Sequence, residues 1–389
     1  SLEEMRIVAA EMERQGLSTP LLIGGATTSK AHTAVKLEPA YSGPVVHVDD
    51  ASRAVGVAGA LVDPATREGF AAERRAEYAE VRTAYEGRNT PDRRIPLTEA
   101  RAARLTLDWS AAPVPRPSFT GVRTLAGYPL EELVERIDWS PFFATWELKG
   151  RFPAILDDPT VGAAARDLYA DAQHMLERVQ AEGLLRADAA LGFWPAGATD
   201  SDDIVVWADE SRTRELARLH TLRQQVARSN DRADLALSDY VAPIDSGVAD
   251  YVGAFAVTAG HGLAQHKAAF EQAHDDYSAI LLTALADRLA EAFAERLHER
   301  VRLELWGYAA DEALDNEALI AESYQGIRPA PGYPASPDHT EKATIFRLLE
   351  APERAGIELT ESMAMLPAAS VSGLYFWRPE ARYFGVGKI

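Results

Sequence analysis

Fifteen residues towards the C-terminal end, RPAPGYPASPDHTEK from Arg328 to Lys342, constrain the backbone more than any other stretch of this sequence. Three prolines fall within its first seven positions. Each removes an amide donor and locks φ, so no helix runs through the segment. A rigid, irregular loop therefore presents Arg328, Tyr333, Asp338 and His339. Polar and aromatic groups held this way beside a scaffold make ligand sites. A plain connector carries prolines as well, and pattern alone leaves both readings open. Within the loop, Arg328 is the natural clamp for a carboxylate or phosphate, because guanidinium donates two parallel hydrogen bonds.

The sequence is 389 residues long, enough for two or three domains. Hydrophobic residues make up 47% and charged residues 25%, the balance of an ordinary globular protein. No run of eighteen apolar residues is present, so no membrane span is expected. No basic start followed by an apolar stretch marks a secretion signal. The absence of cysteine excludes disulfides, thiolate metal sites and cysteine nucleophiles, and fits a cytoplasmic location. A net charge of −19 argues against nucleic-acid binding, which needs a basic footprint.

Residues 1–88 alternate helix and strand. Leu2 to Gln15 reads as an amphipathic helix, Pro20 to Ile23 as a short strand ending in Gly24-Gly25, Ser29 as the start of a helix, and Val45 to Val48 as a second strand. Such alternation predicts a parallel sheet with helical crossovers. Two strands are too few for a complete doubly wound sheet. Residues 89–117 hold five prolines and many charges and read as an extended interdomain linker. In residues 118–389 the patterns predict helices over Ala163–Glu182, ended by Gly183, over Arg212–Arg228, and over Asp276–Leu305, capped by Asp275 and Asp276 and ended by Gly307. Strands are predicted at Ile204–Trp207, Asp250–Thr258, Ser370–Arg378 and Tyr383–Val386. The long helices and the lack of βαβ rhythm point to an α+β domain with an antiparallel sheet.

Several constellations bear on chemistry. Gly24-Gly25 after a strand lets a backbone approach a bulky ligand closely, although an ordinary strand-ending turn uses the same pair. Asp287, Glu291 and Glu295 lie four apart and share one helix face, which a solvated stripe would also show. His261 and His266 are five apart and miss the spacing of a helical metal pair, so no protein-held metal is expected. His339 is read as ordering its loop by hydrogen bonding. No hydrolase elbow, P-loop or dinucleotide glycine motif is present.

The loop resembles the S-adenosylmethionine-binding motif of the cobalamin-dependent methionine synthase family, in its activation domain. IDWSPFFATWELKGRFPAIL (Ile137 to Leu156), DYVGAFAVTAG, DDYSAILLTALADRLAEAFAERLHERVR, YQGIRPAPGYP and LTESMAMLPAASVSGLYF follow in that family's order. PLLIGGATTSKAHTAVK (Pro20 to Lys36) resembles the second half of its cobalamin-binding domain. One departure is Ser336, where family members commonly carry Cys, which is harmless if the backbone is what matters there.

The resemblance implies a C-terminal fragment, with part of a Rossmann-like α/β cobalamin domain over 1–88 and an activation domain over 118–389. The first strands and the axial-histidine loop would lie upstream, together with the homocysteine, folate and cobalamin modules. It implies an S-adenosylmethionine site in which Asp138 accepts from the ammonium and Arg328 clamps the carboxylate. Ala330, Gly332, Tyr333, Tyr383 and Phe384 would meet the rest of the ligand, with Glu291 and Glu322 near the sulfonium. Ser1, Gly24, Gly25 and Ala51 would serve cobalamin, Ser1 as the last member of the relay below cobalt. The implied activity is that of a methyltransferase. S-adenosylmethionine gives its methyl to cob(II)alamin after one electron arrives from a flavodoxin-type donor, restoring methylcobalamin. Transfer from a sulfonium needs no protein base, so no catalytic residue is expected. The alternative is a non-catalytic module that binds S-adenosylmethionine or cobalamin, or docks a flavoprotein.

Overall fold

A computed structural model describes residues 2–24, 28–48, 51–88, 94–110, 113–226 and 232–387. The chain divides into two compact units, Ser1–Arg94 and Ile95–Ile389.

In the first unit the helix Leu2–Arg14 precedes strand β1 (Leu21–Ile23). A helical stretch over 30–40 then leads to β2 (Val45–His47), and the helices Ala51–Val62 and Pro64–Arg88 follow. Ser29 caps the helical stretch by accepting from the His32 amide at 3.1 Å. The two strands pair in parallel, with Leu21 opposite Val45, as the alternation predicts. Ala9, Ile23, Leu37, Tyr41 and Val45 form a small core. The Tyr78 hydroxyl accepts from the His47 amide at 2.7 Å and pins the last helix to β2.

The second unit is built on a six-stranded sheet in which every pairing is antiparallel. Its strands are β3 (Gly121–Leu125), β4 (Arg186–Ala198), β5 (Asp203–Trp207), β6 (Glu215–His220) and β7 (Asp250–His261), with the last strand after a small two-stranded ribbon. The ribbon is β8 (Glu358–Leu359) with β9 (Met365–Leu366), and β10 (Ser370–Tyr375) completes the sheet. The order is β10-β7-β4-β5-β6. At 13 residues, β4 is long enough to take two partners end to end on one side, β3 against 189–193 and β5 against 196–198.

Side chains alternate across a strand, and both faces of this sheet are covered. Leu191, Phe193, Phe255 and Val257 share one core with Leu285, Leu289 and Phe293 of the helix Asp276–Arg300. Ala190, Trp194, Ala254 and Ala256 share the other with Ile345, Phe346 and Leu349 of the helix Glu341–Leu349. A strand buried on both sides has no polar face. The β4 sequence RADAALGFWPAGA therefore shows no alternation, and its alanines and glycines carry little strand propensity.

The helix Gly162–Glu182 ends at Gly183 with φ of +66°, and the Asp275 side chain caps the long helix by accepting from the Ser278 amide at 3.0 Å. Three expectations are corrected. Arg212–Arg228 is not a helix over its described residues, 212–226. Arg212 has φ of +52°, and its guanidinium reaches back to the Ala196 and Asp250 carbonyls. After it, Ala217 and Leu219 turn inward with period two along β6. Tyr383–Val386 is not a strand. Its backbone is held singly, by the Val386 amide on the Pro334 carbonyl and the Gln224 side chain on the Gly385 carbonyl, and Gly387 takes φ of +90°. Nor is the stretch read as linker extended throughout. From Ile95 onward it belongs to the second unit, with a short helix Leu97–Ala102. Leu105, Leu107, Trp109 and Val114 then pack on the two cores.

Phe293 is fully buried between the long helix and the sheet, its ring 4.6 Å from that of Tyr128. Phe293→Ala is expected to cost about 3–5 kcal/mol of stability, measured by urea unfolding followed by far-UV circular dichroism.

Candidate functional site

The proline-rich loop lies on the end of β10, and its bonding follows from what proline lacks. Ile327 exchanges both backbone bonds with Phe376, each at 3.0 Å. Pro329 can only accept, and does so from the Leu374 amide at 2.9 Å. Gly373 makes the approach possible, because a Cβ there would come 2.7 Å from the Pro329 carbonyl oxygen. The loop then turns at Gly332, whose φ of +96° an L side chain rarely adopts. Its amide donates to the Ser336 carbonyl at 2.7 Å, and the Ser336 amide donates to the Tyr333 carbonyl at 2.9 Å. Backbone, not the side chain, is what Ser336 contributes here. The His339 ring packs against Gly332, and the Lys342 ammonium lies 3.1 Å from its Nδ1.

A cavity of about 490 Å³ opens beside this loop. Arg328, Pro329, Ala330, Tyr333, Pro334 and Ala335 form one wall. Glu291 of the long helix, Glu322, and Tyr383 with Phe384 form others, over a floor of Phe255 and Val371 from the sheet. Seven residues singled out in the sequence thus meet at one cavity. Gly332 shapes the loop without lining it. Asp138 does not line it either. It caps the helix Trp139–Thr145, accepting from the Ser140 amide at 3.0 Å, while Phe142 and Phe143 of that helix are fully buried. The neighbouring Ile137 carbonyl accepts from Asn316 at 3.4 Å, which ties this segment to the stretch leading into Glu322.

The polar centre is Arg328, whose side chain is only 20% exposed. Its Nη2 donates to Glu295 Oε2 at 2.6 Å. Its Nη1 donates to the Tyr324 hydroxyl at 2.6 Å and meets His298 Nδ1 at 3.2 Å. Its own backbone amide donates to the Tyr383 hydroxyl at 3.0 Å. Among the described residues three of the five guanidinium N–H groups are thereby committed, leaving Nε–H and one Nη2–H. Burial is the largest single influence and pulls the Arg328 pKa down, but Glu295 and the tyrosines around it together raise it above the usual value. Burial raises the Glu295 carboxyl, against the pull of Arg328 and Arg302. Burial, with Arg302 and Arg328 nearby, drives His298 well below the usual histidine range.

Sequence reasoning missed His298, Tyr324 and the pairing role of Glu295. The signal was present, since Glu291, Glu295, His298 and Arg302 follow one another at helical spacing along a single stripe. That stripe runs from exposed Glu291 to fully buried Arg302, so its acidic end is solvated and its far end is a charge network. Of the residues expected at cobalamin, Ser1 and Gly25 lie outside the described residues. Gly24 ends β1, where a Cβ would meet the Val48 carbonyl at 3.2 Å, and Ala51 opens the helix after β2. Among the described residues no group of three His, Asp or Glu could hold a metal, and no helix is long and apolar enough to cross a membrane.

Fold and cavity together define an α+β domain on an antiparallel sheet with a cavity of small-molecule size. The chain belongs to the family of vitamin B12 dependent methionine synthase activation domains, whose family model matches residues 129–389. Among solved structures it is similar to the crystal structure of the MetH reactivation domain bound to AdoHcy. The identity is 50% and the TM-score 0.74, over 76% of this chain and 90% of that one.

His298 supplies a pH dependence whose sign is determinate. Its folded pKa lies below the unfolded value, so the unfolded chain binds more protons and stability rises with pH in that window. The contribution is complete above the ordinary histidine pKa, and as pH falls it is lost at up to about 1.4 kcal/mol per pH unit until the folded pKa is reached. The urea midpoint of the wild type is expected to fall more steeply from pH 7 to 5 than that of His298→Phe.

Proposed function

We propose that the cavity binds S-adenosylmethionine and that the domain serves the reductive reactivation of methionine synthase, a methyltransferase making methionine from homocysteine and methyltetrahydrofolate. The ligand's methyl would go to cob(II)alamin after one-electron reduction by a flavodoxin-type donor. The observation that carries this reading is Arg328, a guanidinium with two uncommitted donors at the wall of a cavity of drug-ligand size. An amino-acid carboxylate fits those donors. Support comes from the similar MetH domain, which is bound to AdoHcy, a ligand with the same carboxylate, ammonium and adenine.

The remaining groups answer the rest of the ligand. Glu291 and Glu322 bring negative charge to a site that must hold a sulfonium and an ammonium. Tyr333, Tyr383 and Phe384 offer aromatic faces. The Ala330 carbonyl is taken by the Tyr333 amide at 3.2 Å, so its N–H is the backbone group left to meet the adenine edge. Asp138 is assigned to the ammonium from the motif resemblance; it is the N-cap of the helix Trp139–Thr145, next to the Ile137 carbonyl that accepts from Asn316. The protein's task is to orient the methyl group, since the sulfonium is already an activated donor. Cobalamin, when bound, supplies the metal centre that receives the methyl. On the first unit, Gly24 at the carboxyl end of β1 and Ala51 after β2 fit the place where a parallel pair of strands takes a ligand.

Arg328→Ala is expected to weaken S-adenosylmethionine binding by about 2–4 kcal/mol in calorimetry, through loss of a charge-assisted pair. Unchanged affinity would refute the clamp. Asp138→Asn is expected to weaken binding of S-adenosylmethionine and leave adenosine binding as it was. A loss shared by adenosine would remove Asp138 from the ammonium.

A further inference from the structure

His298 is a fully buried titratable group that the reading above leaves without a role. It lies behind the cavity wall, not in it. Its ring stacks on Tyr375 of β10 at 5.2 Å and 20°, and Tyr324 meets it edge-on at 4.9 Å. Nε2 lies 3.2 Å from the Tyr308 hydroxyl and Nδ1 lies 3.2 Å from Arg328 Nη1. Guanidinium nitrogens only donate, so Nδ1 accepts and the imidazole proton resides on Nε2.

We propose that His298 is a positioning residue for the amino-acid tail of S-adenosylmethionine: its neutral imidazole, accepting at Nδ1, holds Arg328 so that Nε–H and the second Nη2–H face the ligand. The inference rests on the cavity being the S-adenosylmethionine site. The geometry leaves the guanidinium little freedom. Tyr324 and His298 take both Nη1 protons, and Glu295 takes one from Nη2. A second proton on His298 would set N–H against N–H. Of the charged and titratable groups around the ring, the two arginines oppose that proton and the Glu295 carboxylate favours it. Arg302 and Glu295 come from its own helix and the turn that extends it, Arg328 and Tyr324 from the loop side, Tyr375 from β10, and Tyr308 from the segment after the helix. Burial and the two arginines prevail, and the ring stays neutral.

The test compares S-adenosylhomocysteine with adenosine by calorimetry on the whole chain, in wild type, His298→Phe, His298→Asn and Arg328→Ala. His298→Phe keeps the stacking ring and removes the acceptor. It is expected to weaken S-adenosylhomocysteine about tenfold while leaving adenosine unchanged, since adenosine has no tail for Arg328 to hold. His298→Asn retains an acceptor near Nδ1 and is expected to stay within about threefold of wild type. A loss shared equally by both ligands, or an Asn variant as weak as Arg328→Ala, would overturn the proposal. Nitrogen-15 NMR of histidine-labelled wild type needs no variant. His298 is expected as the Nε2–H tautomer, unchanged from pH 5.5 to 8, and an Nδ1 proton or an ordinary titration would overturn the proposal. Failure of the wild type to bind S-adenosylhomocysteine would remove the reading of the cavity itself. Binding that is lost in Arg328→Ala and untouched in His298→Phe would remove only this inference.

Discussion

A guanidinium that is four-fifths buried must find its counter-charge and its acceptors inside the protein, and Arg328 finds them in Glu295, Tyr324 and His298. Everything else at the cavity is arranged around that requirement. Buried ion pairs contribute little net stability, because desolvation offsets the Coulomb gain. Breaking one by removing a single partner is costly, so the pair acts as a constraint on where the side chain sits. Glu295 also faces Arg302, whose Nε donates to Glu312 at 2.7 Å and whose guanidinium lies 4.4 Å from the Tyr324 ring. The charge network therefore continues from the cavity wall into the fully buried end of the long helix.

That network can exist only because the sheet and helix around it are rigid. β4 and β7 are buried on both faces and pair over most of their length. The long helix lies on one face, and the loop carrying Arg328 is joined to β10, which pairs with β7. Close approach is decided by small residues. Gly373 admits the loop backbone, and Gly253 sits where a Cβ would come 2.9 Å from the Phe193 ring. The prolines reduce the loop's freedom before folding; the Arg328, Gly332 and Tyr333 amides donate to Tyr383, Ser336 and Ala330, and the Pro329 carbonyl accepts from β10. Family membership, over residues 129–389, fits this division, since the matched region spans the helix and loop that carry the charge network and nearly all of the sheet.

Much of this was legible beforehand, and the failures have physical causes. Gly162–Glu182 declares itself by its apolar face and its end at Gly183, and Asp276–Arg300 by its length and its cap at Asp275. β7 was legible from its β-branched and aromatic residues. β4 was not, because a strand covered on both sides loses the alternation that marks a half-exposed one. The segment of β6 has helix-forming residues, and pairing with β5 overrides that preference. At the site, the residues named from motif resemblance that line the cavity come from the loop and the turn before it that holds Glu322, the long helix and the chain after β10. Asp138 shows the limit of that route, since its observed bond is a helix cap away from the cavity wall.

What the amino-acid order determined by itself is local: where helices start and stop, that no helix runs through the prolines of 329–334, and that Arg328 stands in a loop with too few amides to hide in secondary structure. Those outcomes follow from side-chain period, capping and the missing proline N–H. Tertiary structure alone decided which acceptors meet the guanidinium and which tautomer His298 takes. These are questions of distance between groups far apart in the chain, such as Arg328 and Glu295, 33 positions apart. Burial converts such distances into charge states, and burial is a property of the packed molecule that no local stretch of sequence possesses.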